Sequence, residues 1–138
     1  MNRLAVSTRL GAPPEAVFDA IVDIEALGLE IPAFQAVEVH DRSASGYLAT
    51  MHEHYGGRDV TITSRFTWER PSWVAYEHVD GPYGVNRGRF RIEPDGDGTV
   101  LHHEHETEQD IDEGTTLRAE WLELMRTQHA AIDRLARR

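Results

Sequence analysis

The chain has 138 residues, with 14 basic and 24 acidic side chains, a formal net charge of −10 and no cysteine. Its length predicts a single domain over residues 1–138, large enough for a core and a pocket. The acidic balance argues against nucleic acid and against anionic membrane surfaces as partners, and the absence of cysteine excludes disulfides and thiolate nucleophiles.

The first part of the chain predicts a strand followed by two short helices. Apolar and polar residues alternate over residues 4–9, as in a strand with one buried face. Pro13 and Pro14 suit the first turn of a helix, and a second helix is predicted at residues 25–29, before Pro32. No apolar segment resembles a secretion signal or approaches the roughly 18 residues of a membrane span, so we expect a cytoplasmic protein.

The rest of the chain predicts six strands and then a long helix. Turn signals separate the strands and stand at residues 55–59, 69–73, 80–84 and 94–98. The helix is predicted at about residues 113–137. Its apolar stripe consists of Leu117, Trp121, Leu124, Met125, Ile132 and Leu135. An antiparallel sheet with helices on one face belongs to the α+β class.

The turn at residues 94–98 predicts which side chains of its two strands share a face. If Pro94 lies opposite Thr99, arginines of one strand face acidic residues of the next, which favours a solvent-exposed face. His103 and His105 then lie on the inner face, about 7 Å apart along the strand. The segment "LHHEHETEQD" (101–110) therefore divides its histidines and glutamates between two faces.

The other turns give the same inner face when each is closed in the same way. The predicted neighbours on it are Gly88 with His105, Phe90 with His103, Tyr76 with Gly88, Val74 with Phe90, Trp68 with Val74, Phe66 with Tyr76, Ser64 with His78, and Met51 with Ile62. This face also carries Glu53, Tyr47, Asn86 and Thr107. The mixture is too polar for a dry core and predicts an apolar pocket with a few polar groups.

His103 and His105 leave three interpretations open. Two imidazoles on one strand face can bind zinc with a third ligand, but His78 and Glu53 lie on other strands, with His78 roughly 10–12 Å from His105 between backbones. We therefore predict no metal site. The pair can instead serve as acid–base groups that enolise a ketone, or as buried histidines whose hydrogen bonds are satisfied within the protein.

The order of elements and the segment "APPEAVFDAIVDIEAL" (12–27) resemble the START/Bet v 1-like helix-grip superfamily (SRPBCC). The segments "DIEALGLEIPAFQAVEV" (23–39) and "VDGPYGVNRGRF" (79–90) are similar to those of bacterial polyketide aromatase/cyclases. The resemblance implies a curved seven-stranded antiparallel sheet wrapped around a long C-terminal helix, with two short helices between strands 1 and 2. It also implies that Tyr55 and Tyr83 stand at the rim of a cavity.

Several positions depart from the aromatase/cyclase pattern. Leu27 stands where those cyclases have Trp, and Phe34 replaces a pocket Tyr. In "FTWER" (66–70), Phe66 and Trp68 replace the Trp and Ser of their W-x-S-x-R motif, and Arg70 keeps the Arg. If the chain is an enzyme, other polar groups on the inner face must therefore contribute to the reaction.

These observations predict a domain that binds an apolar or aromatic, ketone-bearing small molecule without a cofactor. It could act as a polyketide cyclase/dehydratase, with His103 or His105 removing a proton and Arg70 or Tyr76 stabilising the enolate oxygen. The predicted ligand-binding residues are Phe34, Met51, Glu53, Phe66, Trp68, His78, Tyr83, Asn86, Phe90, Trp121 and Met125. The alternative is a non-catalytic lipid or quinone carrier or chaperone. The sequence leaves the oligomeric state open, a homodimer included.

Overall fold

The computed structural model describes residues 1–55, 57–111 and 114–138. Within these residues the chain forms seven strands and three helices. Their bounds are β1 Asn2–Leu10, α1 Pro14–Val22, α2 Ile24–Leu29, β2 Phe34–Ser43, β3 Gly46–Tyr55, β4 Arg58–Glu69, β5 Trp73–Asp80, β6 Asn86–Asp95, β7 Gly98–Thr107 and α3 Thr116–Ala136. The predicted α+β order is confirmed.

The described strands form one antiparallel sheet in the order β1-β7-β6-β5-β4-β3-β2. The sheet curves around the long α3, so the helix-grip architecture implied by the resemblance is confirmed. α3 contacts β1, α1 and α2. None of the described helices is long and apolar enough to cross a membrane.

The cross-strand neighbours predicted from the turns are confirmed. Pairs on the inner face include Gly88 with His105 and Tyr76 with Gly88, and Ser64 lies opposite His78. Met51 also lies opposite Ile62, as predicted. Gly56, in the turn between their strands, lies outside the described residues. Register is determined here because a slip by one residue would turn every inward side chain to solvent.

Pairing between β1 and β7 joins the first strand to the last and leaves β1 and β2 as the edges of the sheet. In this ladder Val6 lies opposite His103 and Leu4 lies opposite His105. The next inward residue of β1, Thr8, lies opposite Leu101. No turn connects these strands, so this register follows from tertiary packing alone.

Local signals explain where the helices begin. Pro14 starts α1, where its missing N–H is not needed. The Asp23 carboxylate accepts from the Ala26 N–H at 3.3 Å at the start of α2. The Thr115 hydroxyl accepts from the Arg118 N–H at 3.2 Å and caps α3. The described helix thus begins at Thr116, and the predicted start at residue 113 lies outside the described residues.

The core occupies the end of the sheet that holds the turns at 69–73 and 94–98. There α1 packs its apolar face, including Phe18 and Ile21, on the inner face of the sheet. The polar inward residues, such as Glu53 and His78, lie toward the opposite ends of the same strands. A second cluster of Leu4, Ile111 and Met125 packs the first half of α3 against the edge strand. The separation of the apolar core from the polar inward residues leaves space for a cavity between the sheet and the helices.

Candidate functional site

A cavity of about 930 Å³, its open mouth included, lies between the inner face of the sheet and the three helices. Its lining is mostly apolar. The apolar residues are Ile21, Ile24, Leu27, Ile31, Phe34, Met51, Ile62, Phe66, Phe90, Trp121, Leu124, Met125 and Ile132, and the polar ones are Glu53, Ser64, Tyr76, His78, Tyr83, Asn86, His105 and Gln128.

Tyr76 lies across the sheet at the wall of the cavity. It stands opposite Gly88 on β6, which in turn lies opposite His105 on β7. A Cβ at position 88 would lie 2.3 Å from the Tyr76 hydroxyl oxygen. Because glycine leaves that space free, the hydroxyl reaches β7, 2.8 Å from His103 Nε2 and 2.7 Å from His105 Nδ1.

These contacts belong to a longer hydrogen-bonded series, which we call the histidine chain. It consists of Thr8, His129, His103, Tyr76, His105 and Asn86. His105 Nε2 lies 3.0 Å from Asn86 Oδ1. At the other end, His103 Nδ1 lies 3.1 Å from His129 Nε2, and His129 Nδ1 lies 2.8 Å from the Thr8 hydroxyl. Every imidazole nitrogen in the chain therefore has a partner.

Burial keeps the imidazoles of the histidine chain neutral. It lowers the pKa of His105 and of His129 to about 4 and lowers the pKa of His103 well below its ordinary value. Burial also raises the pKa of Tyr76. The His103 ring stacks on Phe90 with centroids 4.0 Å apart. At neutral pH the chain thus consists of uncharged groups, and neither His103 nor His105 has a free nitrogen for a ligand.

A different set of polar groups faces the cavity without a partner. Ser64 Oγ is fully buried and makes no hydrogen bond. Glu53 is 8% exposed, and burial raises its pKa to about 7. Burial lowers the pKa of His78 to about 4. Neither of these two side chains makes a hydrogen bond or an ion pair with any described residue. We call Glu53, Ser64 and His78 the unpaired polar set.

The structure brings most of the predicted site residues together. Of the predicted catalytic residues, Tyr76 and His105 line the cavity, and every predicted ligand-binding residue except Trp68 does so. His103 lies behind Tyr76 and Phe90, is 1% exposed and does not line the cavity.

Arg70 and Trp68, two of the predicted site residues, are not among the residues that line the cavity. Arg70 follows the last residue of β4, is exposed, and pairs with Asp19 at 2.6 Å. Its guanidinium stands 4.8 Å from the centroid of the Phe18 ring. Trp68 faces inward but packs edge-on against Phe18 and Tyr47 at the core end of the sheet. The reason is the same for both: the cavity occupies the other end of β4.

Tyr83 lines the cavity from the turn between β5 and β6, at the predicted rim. Its backbone carbonyl accepts from the Asn86 side-chain amide at 2.9 Å. The second predicted rim residue is Tyr55, whose side chain lies outside the described part of the structure. The rim role of both tyrosines therefore stays a prediction.

His129 and Gln128 are two polar residues of the site that were not predicted from the sequence. Both lie on α3, where His129 is 2% exposed and Gln128 lines the cavity. A signal was present: His129 stands four residues after Met125 and three before Ile132, within the apolar stripe. Among the residues that the structure describes, no group of three or more His, Asp or Glu side chains could hold a metal ion.

The chain is similar to known proteins in sequence and in fold. A family model described as "Polyketide cyclase / dehydrase and lipid transport" matches residues 10–121. No curated protein matches the chain in sequence.

Solved structures share its fold over nearly the full length. The Zhui aromatase/cyclase from Streptomyces sp. R1128 has 21% identity and a TM-score of 0.83, over 99% of this chain and 94% of that chain. The protein TTHA0849 from Thermus thermophilus has 19% identity and a TM-score of 0.83, over 98% and 97%. A START superfamily protein from Mycobacterium smegmatis has 16% identity and a TM-score of 0.81, over 95% and 94%. At these identities the similarity concerns the fold.

Proposed function

The chain belongs to the polyketide cyclase / dehydrase and lipid transport family, and we propose that it binds a largely apolar, ketone-bearing small molecule in the cavity under α3. The unpaired polar set is the observation that carries this proposal. Leaving a buried polar group without a partner costs about 1–3 kcal/mol. A ligand that supplies the missing partner recovers that cost, while the apolar lining holds the rest of the ligand.

A carbonyl oxygen suits the unpaired polar set. The Ser64 hydroxyl, the neutral His78 ring and the Glu53 carboxyl in its protonated form can each donate a hydrogen bond. Ser64 and His78 lie directly opposite each other on β4 and β5, so both can reach one oxygen. Glu53 lies on β3, opposite Phe34 on β2. A second oxygen on the ligand would meet this carboxyl.

Charge favours a neutral ligand. The chain contains no lysine, and no arginine is among the described residues that line the cavity. A carboxylate or phosphate on the ligand would therefore lie in a mostly apolar space, at a high desolvation cost unless a lining histidine takes up a proton. A ketone avoids this cost.

In a catalytic form of the proposal, Glu53 removes a proton from the carbon next to the ketone. A base is most effective when its pKa lies near the working pH, and the pKa of Glu53 is about 7. Ser64 and His78 would donate to the enolate oxygen. The resulting carbon nucleophile is what a cyclase/dehydratase reaction requires. His103 and His105 are not assigned this role because all their ring nitrogens are occupied.

Two matched ligands test the binding proposal: 2-acetylnaphthalene and 2-ethylnaphthalene, which differ mainly in the carbonyl. We expect the ketone to bind about tenfold more tightly, a difference of about 1.4 kcal/mol, as measured by calorimetry or Trp121 fluorescence. Ser64→Ala should reduce this preference, and Glu104→Gln, on the exposed face, should leave it unchanged. Equal affinities for the two ligands in the wild-type protein would contradict the proposal.

Turnover of a poly-β-ketone mimic tests the catalytic form. We expect Glu53→Gln to abolish the change in product distribution that the wild-type protein causes, because an amide cannot take up the proton. His102→Gln serves as the control, since His102 lies on the outer face between Ser7 and Glu93. Unchanged products with Glu53→Gln would exclude Glu53 as the base.

A non-catalytic carrier of a lipid or quinone is the second candidate. The occupied nitrogens of the histidine chain favour it, because they remove two imidazoles from proton transfer with a ligand. Native mass spectrometry of the purified protein tests it. A carrier should retain an apolar molecule that dissociates on unfolding, and should leave the poly-β-ketone mimic unchanged.

A further inference from the structure

The histidine chain has only one arrangement of protons when its imidazoles are neutral, and Asn86 determines it. The backbone carbonyl of Tyr83 can only accept, so the Asn86 amide NH₂ faces it at 2.9 Å. Asn86 Oδ1 therefore faces His105 Nε2, which must carry the proton and donate. A neutral imidazole has one N–H, so His105 Nδ1 accepts from the Tyr76 hydroxyl.

The proton positions toward the β1 edge follow from that of the Tyr76 hydroxyl. Since the Tyr76 hydroxyl donates to His105, its oxygen accepts from His103 Nε2–H. His103 Nδ1 then accepts from His129 Nε2–H, and His129 Nδ1 accepts from the hydroxyl of Thr8, which is partly exposed. All three imidazoles carry their proton on Nε2, and every hydrogen bond points from Thr8 toward Asn86.

We infer that the histidine chain is a proton relay, which compensates a negative charge formed in the cavity by placing one solvent proton on His105. The need for compensation rests on the proposed function: when Glu53 takes the proton, its negative charge passes to the enolate, which meets no lysine or arginine among the described lining residues. His103, His129 and Thr8 touch no ligand in this scheme. They act as positioning residues that carry the proton.

The relay works by reversal of the hydrogen bonds between Thr8 and His105 without movement of heavier atoms, while His105 Nε2–H continues to donate to Asn86. The Thr8 hydroxyl takes a proton from a hydronium ion and gives its own to His129 Nδ1. The His129 Nε2–H bond breaks as His103 Nδ1–H forms, and the His103 Nε2–H bond breaks as Tyr76 takes that proton. Tyr76 passes its original proton to His105 Nδ1. One positive charge has moved from solvent to His105, and each intermediate group is neutral again.

No acidic side chain is among the described groups that face the ring of His105. The described groups that face its ring are Tyr76 and His78 from β5, Asn86 from β6 and Trp121 from α3, with Leu4 opposite on β1. None of them is acidic. Glu106, the next residue, points to the outer face, where it pairs with Arg3 and Arg87. A negative charge in the cavity is therefore the partner that would hold a proton on His105.

The position of each imidazole proton can be read directly by ¹⁵N NMR, first in the free protein and then with 2-naphthoate, a carboxylate of the same shape as 2-acetylnaphthalene. In the free protein we expect His103, His105 and His129 to be neutral and protonated on Nε2. With 2-naphthoate bound, His105 should be protonated on both nitrogens, and His103 and His129 should carry the proton on Nδ1.

A variant outside the cavity separates the relay from a purely structural role. His129→Leu leaves His103 Nδ1–H without an acceptor in the reversed state. We expect it to weaken 2-naphthoate binding by about tenfold and to leave 2-acetylnaphthalene binding unchanged. His102→Gln should change neither affinity. The ratio of the two affinities is measured in folded protein, so a loss of stability alone does not alter it.

Three results would each overturn the relay. They are an Nδ1–H tautomer at His103 or His129 in the free protein, failure of 2-naphthoate to bind, and bound 2-naphthoate with His105 neutral. Binding of 2-acetylnaphthalene decides the proposed function separately, so failure of the relay and failure of the proposed function are distinguishable.

Discussion

The hydroxyl of Tyr76 lies 2.7 Å from Nδ1 of His105, although β5 and β7 are not neighbours in the sheet. The contact crosses β6 at Gly88, the residue opposite both. A residue without a side chain on the middle strand thus allows a hydrogen bond between two strands that share no backbone pairing.

Gly88→Ala should break this contact. The added Cβ would lie 2.3 Å from the Tyr76 hydroxyl oxygen and 2.8 Å from the Glu104 carbonyl oxygen. Since neither distance is tolerable, we expect the free energy of unfolding to fall by about 1–3 kcal/mol, as measured by urea denaturation. Gly11→Ala is the matched control, because a Cβ there meets nothing within 4 Å. Equal stability of the two variants would contradict this account of Gly88.

Tyr76→Phe should destabilise the protein more than the loss of one hydroxyl would suggest. It leaves His103 Nε2–H and His105 Nδ1 buried and unpaired, and each such group costs about 1–3 kcal/mol. Urea denaturation of Tyr83→Phe provides the comparison. The Tyr83 hydroxyl makes no hydrogen bond with any described residue, so its removal should cost less than about 0.5 kcal/mol.

Glu53 should make the protein less stable as the pH rises from about 4.5 to about 7. Burial raises its pKa from 4.5 to about 7, so in this interval the unfolded chain has lost the proton that the folded protein keeps. The contribution of Glu53 to the free energy of unfolding therefore falls with pH, by at most about 3 kcal/mol, and levels off above pH 7, while the buried histidines, whose pKa values are lowered, contribute in the opposite direction.

Urea denaturation at pH 5 and pH 8 measures this effect. Glu53→Gln removes the titrating group, so it should gain stability relative to the wild-type protein between these two pH values. Glu104→Gln, on the exposed face, should follow the wild-type protein at both. A Glu53→Gln variant with the wild-type pH dependence would show that this carboxyl ionises as freely as one in water.

Arg70→Ala should leave ligand affinity within about twofold of the wild-type value. Its guanidinium is exposed and pairs with Asp19, and exposed ion pairs contribute little to stability. Calorimetry with 2-acetylnaphthalene checks this expectation alongside Ser64→Ala, which changes a group at the cavity wall. A large loss of affinity for Arg70→Ala alone would indicate that the ligand extends to the surface where Arg70 pairs with Asp19 of α1.

The hairpin registers were accessible from the sequence because each depends on neighbouring segments. A short turn joins each pair of strands, and opposite charges such as Arg89 and Glu104 must share the solvent face. Once the register is known, His103 and His105 are assigned to the inner face. Even so, the same pattern is compatible with a metal site, with catalytic bases, and with histidines bonded inside the protein.

The choice among these possibilities depended on residues far away in the chain. His129 and Thr8 come from α3 and β1, and they occupy nitrogens that an isolated hairpin would leave free. Arg70 shows the converse case. The W-x-S-x-R comparison favoured a pocket arginine, but the residue stands beyond the end of β4, where Asp19 of α1 binds it.

The sequence by itself determined the order of the elements, the inner and outer face of each strand and the mixed lining of a cavity, because alternation and turn chemistry act over a few residues. Tertiary structure alone decided which polar atoms meet. Residues of α3 and β1 complete the hydrogen bonds of His103 and His129, and Tyr76 and Asn86 complete those of His105, while Ser64 Oγ has no hydrogen-bond partner among the described residues. Hydrogen bonds require contact to within about 3 Å, and such distances between remote segments follow only from how the helices and the sheet pack together.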